Sequence, residues 1–475
     1  SSLVQIRHTL ADPGLQAAIY SSTGRLVEKR RQAISEGDPA EFERWREQAR
    51  RIKQHTLENL DHYLERLEER LTARGVKVLW AKDGGEVTDF VVRMAREKNA
   101  RLIVKSKSMT TEEIHLTERL EEAGIEAVET DLGEYIVQLA GERPSHIVAP
   151  ALHKTRYQIG DLFHERLGVE REVVPEKQTL IARRTLREKF LAADIGITGA
   201  NFLVAEAGLV VVVENEGNAR LSSSIPRVHI VIAGIEKLIP RTADLAVFLK
   251  LLGRSATGQP LTVYTSLLAG PRRPGEIDGP EEVYLILLDN GRTRVLADRA
   301  KRQSLYCIRC GACLNHCPVY RKIGGHSYPW VYSGPIGAII TPQFHGVLEQ
   351  AWLPYASSLC GACAEVCPVK IDIPQILLEL RWETVKAKVR ESSNRLERWA
   401  FGVWAWVMCH PRVYELASLL SSAIATSEGD GWLRGVPALF NLGPIRNWLS
   451  QRDLPPPPSK TFRQLWRERA GGGLG

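Results

Sequence analysis

Seven of the eight cysteines stand in two short runs: Cys307, Cys310, Cys313 and Cys317 before Pro318, and Cys360, Cys363 and Cys367 before Pro368. The first run has the C-x2-C-x2-C-x3-C-P spacing that binds cubane iron-sulfur clusters, whose irons take soft thiolate sulfur. Thiols at i, i+3 and i+6 converge on three corners of one cluster, with Gly311 letting the backbone pass close. The cysteine beside proline serves the other cluster. The expected assignment is therefore crossed. Cys307, Cys310, Cys313 and Cys367 form one ligand set, and Cys317, Cys360 and Cys363 form the other.

The second set is one ligand short. Superposing the shared CGAC cores sets Ser357 where the first run has Cys307. The expected cofactors are two iron-sulfur clusters, one 4Fe-4S and the other 4Fe-4S or 3Fe-4S. A four-iron second cluster would draw its last ligand from Ser357, from the distant Cys409 or from water, and a hard ligand changes potential and lability. Ser357 is equally suited to a loop or cap role, and Cys409 to a buried helix thiol. Structural zinc also uses C-x2-C pairs. Two runs that both end in Cys-Pro fit the crossed pattern better than zinc sites of four cysteines.

Around these residues the elements follow from periodicity. Residues 1–74 read as an N-terminal helical segment packing on the next domain, with a helix over 39–74 carrying Phe42, Trp45, Ile52, Leu57, Leu60 and Leu64 on one stripe. From 75 to 295, short apolar runs alternate with helical ones: strands at 76–80, 102–104 and 125–128, helices at 87–98 and 111–122. This implies βαβ units around a mostly parallel sheet. Helices at 154–167 and 176–193 precede strands at 201–205, 209–213, 228–233, 261–266 and 283–288, with a helix at 243–252. A helix over 292–302 leads into the cysteine domain, 296–395, where 341–352 reads as helical. Residues 396–475 form an aromatic helical extension with a proline run at 455–458 and a Gly-rich end.

Length and charge narrow the class. At 475 residues and roughly 150 per domain, two or three domains are expected. Clustered rather than scattered cysteines argue against a disulfide framework and for a reducing compartment, the cytoplasm. The net charge of +7, with acidic residues interspersed, leaves no nucleic-acid footprint. No stretch reaches the ~18 apolar residues of a membrane span, and no basic-then-apolar leader opens the chain.

Taken whole, the sequence resembles the lactate utilization protein B family. The likeness is carried by KSKSMTTEEI at 105–114, GAN at 199–201, AEAG at 205–208, ENEGNAR at 214–220 before Pro226 and His229, and SSLCGAC at 357–363. In that family serine also stands at the position of Ser357. The resemblance implies an α/β LUD domain, similar in fold to CoA-transferases and sugar-phosphate isomerases. An all-helical two-cluster ferredoxin domain follows it, since the segment between the runs is too long for a small β-rich ferredoxin. It also implies an iron-sulfur subunit passing electrons from L-lactate as it becomes pyruvate. The implied partners are a cysteine-rich redox subunit and a smaller LUD protein.

In the LUD domain Lys105, Lys107, Glu214, Glu216, Asn218 and Arg220 make a candidate ligand pocket at a strand end. There a glutamate would act as nucleophile or base and the cations would hold a carboxylate; a plain turn is the alternative. No G-x-G-x-x-G follows a strand, so neither a nicotinamide nor a flavin site is indicated. Trp399, Phe401, Val403, Trp404 and Trp406 suit either a helix covering the clusters or a membrane surface near a quinone. Three function classes follow: an electron-transfer subunit, an acyl- or CoA-transferring enzyme, and a scaffold with structural clusters. The clusters and the family resemblance favour the first.

Overall fold

The computed structural model describes residues 2–390, 395–424 and 460–471, with 432, 446, 452 and 455. The expected proline run beyond 455 and the Gly-rich end from 472 lie outside the described residues. The chain divides into two units, Ser1–Ala387 and Lys388–Gly475.

Four helices open the first unit: α1 (Ser2–Ala11), α2 (Pro13–Ser35), α3 (Pro39–Glu58) and α4 (Leu60–Thr72). Asp12 and Asp38 cap α2 and α3, accepting N–H bonds from Leu15 at 3.0 Å and Ala40 at 2.8 Å, and a proline follows each cap where no N–H is needed. The single helix expected over 39–74 breaks at Asn59, which leaves helical geometry at φ −127°, ψ 36°. Leu57 of α3 and Leu60, Leu64, Leu67 and Leu71 of α4 still enter one core.

Strand and helix then alternate through β1 (Lys77–Ala81), α5 (Gly84–Glu97), β2 (Leu102–Lys105), α6 (Met109–Glu113), α7 (Leu116–Glu122), β3 (Glu126–Glu129), α8 (Leu132–Leu139), α9 (Arg156–Leu167), α10 (Pro175–Ala192) and β4 (Ile195–Thr198). His115, at φ +53°, splits the helix expected over 111–122 into α6 and α7. Next come β5 (Phe202–Val204), β6 (Leu209–Glu214), α11 (Asn218–Ser224), β7 (Val228–Gly234), β8 (Leu238–Ile239), α12 (Thr242–Ala256), β9 (Tyr264–Leu268) and β10 (Glu282–Leu288).

Six strands form a wholly parallel sheet in the order β1-β10-β7-β4-β2-β3. The others form a second sheet, β8-β5-β6-β9, which the alternation pattern did not separate. With no helix between them, β5 and β6 pair antiparallel and so leave the parallel sheet. Central β10 is buried on both faces. Val283, Leu285 and Leu287 join the core of the second sheet, while Tyr284, Ile286 and Leu288 pack under α5 and α7.

The cysteine region is helical: α13 (Arg292–Ala297), α14 (Ala312–His316), α15 (Tyr320–Ile323), α16 (Gly334–His345), α17 (Ala362–Glu365) and α18 (Ile373–Arg390). The helix expected at 341–352 lies earlier, as α16, because Gly346 at φ +108° ends it. The one expected over 292–302 stops at Ala297, and a 3-10 turn, Arg302–Tyr306, delivers Cys307. The main core is continuous from α3 and α4 through the second sheet into Leu305, Ile308 and Leu314, and α2 packs on α14 and α15.

The second unit holds α19 (Arg395–Cys409), α20 (Pro411–Ile424) and α21 (Phe462–Gly471), with Arg467 paired to Glu415 at 2.5 Å. Trp399, Phe401, Trp404, Trp406 and Cys409 are exposed. Among the described residues no helix is long and apolar enough to cross a membrane.

Candidate metal centre and the cavity beside it

Each cysteine loop turns through a left-handed glycine, Gly311 at φ +74° and Gly361 at φ +84°, immediately before α14 and α17. A Cβ on Gly311 would also stand 3.1 Å from His146 and from Val148. The thiols influence one another in two sets. After burial, the largest cause, Cys310 is raised by Cys307 and Cys367, and Cys313 by Cys307, Cys310 and Cys367. Cys363 is raised by Cys317 and Cys360. Cys313 also feels Cys363, where the two sets approach.

The sets differ in exposure at one member. Cys310 and Cys367 of the first, inner set are buried and Cys307 and Cys313 half-buried; in the second, outer set Cys363 is buried and Cys317 half-buried, but Cys360 is exposed. Backbone N–H groups of Arg309, Tyr320 and Ile371 reach the sulfurs of Cys307, Cys317 and Cys367, each at 3.4 Å. Ser357 is half-buried and its Oγ accepts from Leu359 N at 3.2 Å, a local loop bond.

Several cations surround the inner set. Arg30 donates to Val366 O at 3.2 Å and Arg46 to Cys367 O at 3.0 Å, while Lys53 and Lys237 both feel Cys307. Among the described residues, Arg30 Nε and Arg309 Nη1 are buried without a hydrogen-bond partner. A cluster held by four thiolates is anionic, and its charge would offset these orphaned donors. Among the described residues no three thiols lie within 4.8 Å of one another. Tetrahedral zinc, with Zn–S near 2.3 Å, would draw sulfurs to about 3.8 Å. The residues fit iron-sulfur clusters rather than zinc.

Beside the inner set lies a cavity of about 360 Å³, lined by Lys107, Glu214, Glu216 and Asn218 of the candidate pocket. Lys105 and Arg220 stand outside it. The register of β2 on β3 sets Lys105 opposite Glu129, and its buried ammonium meets Glu129 at 2.7 Å and Glu112 at 3.0 Å. Arg220 is two residues beyond Asn218, hence on the opposite side of α11, and is exposed. Surrounding protein, and then Asp131, raise the Glu216 carboxyl to about 7, although its side chain still meets solvent. Two lining residues, Lys237 and Arg309, escape a reading by motif. Arg309 occupies a spacer position between Cys307 and Cys310. Lys237 follows strand β7, where the strand-end logic applied to Glu214 would have found it.

An ion-pair network ties this site to the sheet. Arg292, fully buried, forks onto Glu113 with both N···O distances 2.9 Å and meets Glu236 at 2.5 Å; Arg309 reaches Glu236 at 3.5 Å. Burial alone would raise Glu236, but Arg292, Arg309 and Lys237 hold it down at about 2.

His146 bridges the LUD and cysteine regions. Its Nδ1 accepts from Val148 N at 3.0 Å and its Nε2 faces Asn315 Oδ1 at 3.0 Å, so Nε2 carries the proton. Burial, and then Lys107, lower it to about 3. The unfolded chain takes up this proton near pH 6.5, whereas the folded chain does so only near 3, so stability is lost as pH falls through that window, by up to ~1.4 kcal/mol per unit. His146→Gln should therefore be less stable than wild type at pH 7.5 and close part of that gap at pH 5.5. Urea midpoints at both pH values test this; a constant gap would refute it.

The fold and the thiol sets define a LUD-domain protein with a 4Fe-4S dicluster module. Models of the LUD domain, of the 4Fe-4S dicluster domain and of the lactate utilisation protein B C-terminal region match residues 64–288, 303–371 and 381–471. Lactate utilization protein B of Bacillus velezensis (strain DSM 23117 / BGSC 10A6 / LMG 26770 / FZB42) is 45% identical, covering 96% of this chain and 94% of its own. That of Bacillus cytotoxicus (strain DSM 22905 / CIP 110041 / 391-98 / NVH 391-98) is 44% identical over 98% and 96%. The uncharacterized electron transport protein YkgF of Escherichia coli (strain K12) is 43% identical over 98% and 96%. The chain belongs to the lactate utilization protein B family.

Proposed function

We propose that this chain is the iron-sulfur electron-transfer component of a system that oxidises L-lactate to pyruvate. The observation that carries the reading is the grouping of seven thiols into two neighbouring sets, of which the second alone has an exposed member, Cys360. Cys307, Cys310, Cys313 and Cys367 hold the inner 4Fe-4S cluster; Cys317, Cys360 and Cys363 hold the outer one. The names of the relatives, which speak of lactate utilization and electron transport, supply the substrate. Bound clusters each accept and release one electron, and lactate gives two electrons and two protons as it becomes pyruvate. The chain's own part is to bring the two sites close, to keep water from the inner one and to expose Cys360 to a partner. A cysteine-rich redox subunit and a smaller LUD protein are the proposed partners.

Iron analysis and electron paramagnetic resonance of the anaerobically purified chain test the cofactor part. About seven or eight irons per chain, with a reducible four-iron signal, are expected; zinc, or iron at a few atoms per chain, would overturn it. Deleting the gene should abolish growth on L-lactate, restored by the wild-type chain and not by Cys310→Ala. Undiminished growth of the deletion strain would remove lactate from the reading.

A further inference from the structure

The cavity joins two observations that the electron-transfer role does not use. Its volume of about 360 Å³ suits a small-molecule site. Its charged lining is unevenly satisfied. Glu214 accepts N–H bonds from Ala219 at 2.7 Å and Arg220 at 2.8 Å, Glu216 accepts from Leu132 at 3.0 Å, and Asp131 caps α8 by accepting from Glu134 at 3.1 Å. The cations are less well paired: Arg309 meets Glu236 only at 3.5 Å, and Lys237 acts on Glu236 without a direct ion pair. Among the described residues no acceptor pairs with the ammonium of Lys107 or of Lys237, and Lys237 is only 9% exposed. The Arg309 guanidinium is 7% exposed, and its Nη1 has no partner. A buried cation whose donors are incompletely paired is costly.

The same two cations face the inner thiols. Arg309 gives its backbone N–H to Cys307 Sγ at 3.4 Å, and both Arg309 and Lys237 feel the charge of Cys307.

We infer that the cavity binds a small organic oxyanion, a carboxylate or a phosphate, on Lys237 and Arg309, and that its binding lowers the reduction potential of the inner cluster. The inference rests on the cluster assignment proposed above. An anion on these cations cancels positive charge beside Cys307, which favours the oxidised state. By reciprocity the reduced protein, one negative charge richer, releases the anion. Lys107, half-buried in the same lining, completes the cationic wall.

The test uses the full chain with its clusters, titrated calorimetrically with L-lactate, acetate and inorganic phosphate in separate arms, alongside potentiometry of the inner cluster. Saturable binding of at least one probe is expected, tenfold or more weaker to the reduced protein, which corresponds to a potential about 59 mV lower at saturation. The probe that binds distinguishes carboxylate from phosphate. Lys237→Met should weaken binding at least tenfold and erase the potential shift, and it should fold, since it removes an unpartnered buried charge. Arg220→Met, outside the cavity, should change neither. Absence of binding by all three probes would overturn the inference, as would binding indifferent to Lys237→Met or without a potential shift in wild type. If the purified chain proves to lack clusters, the functional reading fails by iron count. Probe binding lost in Lys237→Met would then still sustain the anion site, and its absence would sink that too.

Discussion

Cys367→Ala is expected to strip the cluster whose other ligands stand in the opposite run and to leave the cluster of Cys317, Cys360 and Cys363 in place. Roughly half the iron should go, because one four-iron site loses a ligand. Cys367 is raised by Cys307 after burial, its backbone carbonyl is held by Arg46 at 3.0 Å, and its sulfur accepts from Ile371 N at 3.4 Å. It is therefore built into the inner set although its sequence neighbours, Cys360 and Cys363, face Cys317. Double variants read the crossing directly. Cys307→Ala with Cys367→Ala should lose no more iron than either alone, since both serve one site, while Cys360→Ala with Cys367→Ala should lose nearly all. The reverse pattern would mean that each run serves its own cluster. Growth on L-lactate should fail in every variant that breaks the inner site.

Arg292→Met is expected to destabilise the first unit by about 3–5 kcal/mol or more, the range for removing one partner of a buried ion pair. Two carboxylates lose their strongest partner at once, and both are buried, Glu113 at 5% and Glu236 at 1% exposure. Tyr332 still donates to Glu113 at 2.8 Å and Asn290 at 2.6 Å, so Glu113 keeps neutral partners, while Glu236 keeps only the Arg309 contact at 3.5 Å as an ion pair. Arg309 would then be drawn fully onto Glu236, away from Cys307, so loss of the inner cluster should accompany the lowered stability. Arg292→Lys keeps the charge without the planar fork and should lose less. Adding Glu113→Gln to Arg292→Met should recover part of the loss, because it removes one unpaired charge. Thermal or urea unfolding with iron counts gives both readouts; a variant within 1 kcal/mol of wild type, on the order of a surface substitution, would refute the network's role.

Local chemistry made part of this legible in the chain. The cysteine spacing, the glycine at Gly311 and the alternating apolar runs report on neighbours a few residues apart, so ligand residues and βαβ units follow from them. Broken helices were less legible. Asn59 and His115 interrupt otherwise regular apolar periods through backbone geometry alone, and neither residue type marks a break reliably. Likewise, β5 and β6 share the apolar character of parallel strands, and only their pairing assigns them to a separate sheet.

The sequence by itself determined that iron-sulfur chemistry is carried between Cys307 and Cys367 and that an α/β domain precedes it. Those are properties of spacing and period. Which cations attend the inner set, and that a cavity adjoins it, was decided only by the tertiary structure. Arg30 comes from α2, Arg46 and Lys53 from α3, Lys237 from a 3-10 turn after β7 and Arg309 from the first cysteine loop. Apart from Lys237, which follows a strand end, no local pattern marks them, because burying a charge is favourable only where folding delivers a distant partner. Of the six residues expected at the pocket, folding kept four on the cavity wall. It set Lys105 into ion pairs with Glu129 of the neighbouring strand and Glu112, and turned Arg220 outward, since strand register and helix rotation decide where a side chain faces.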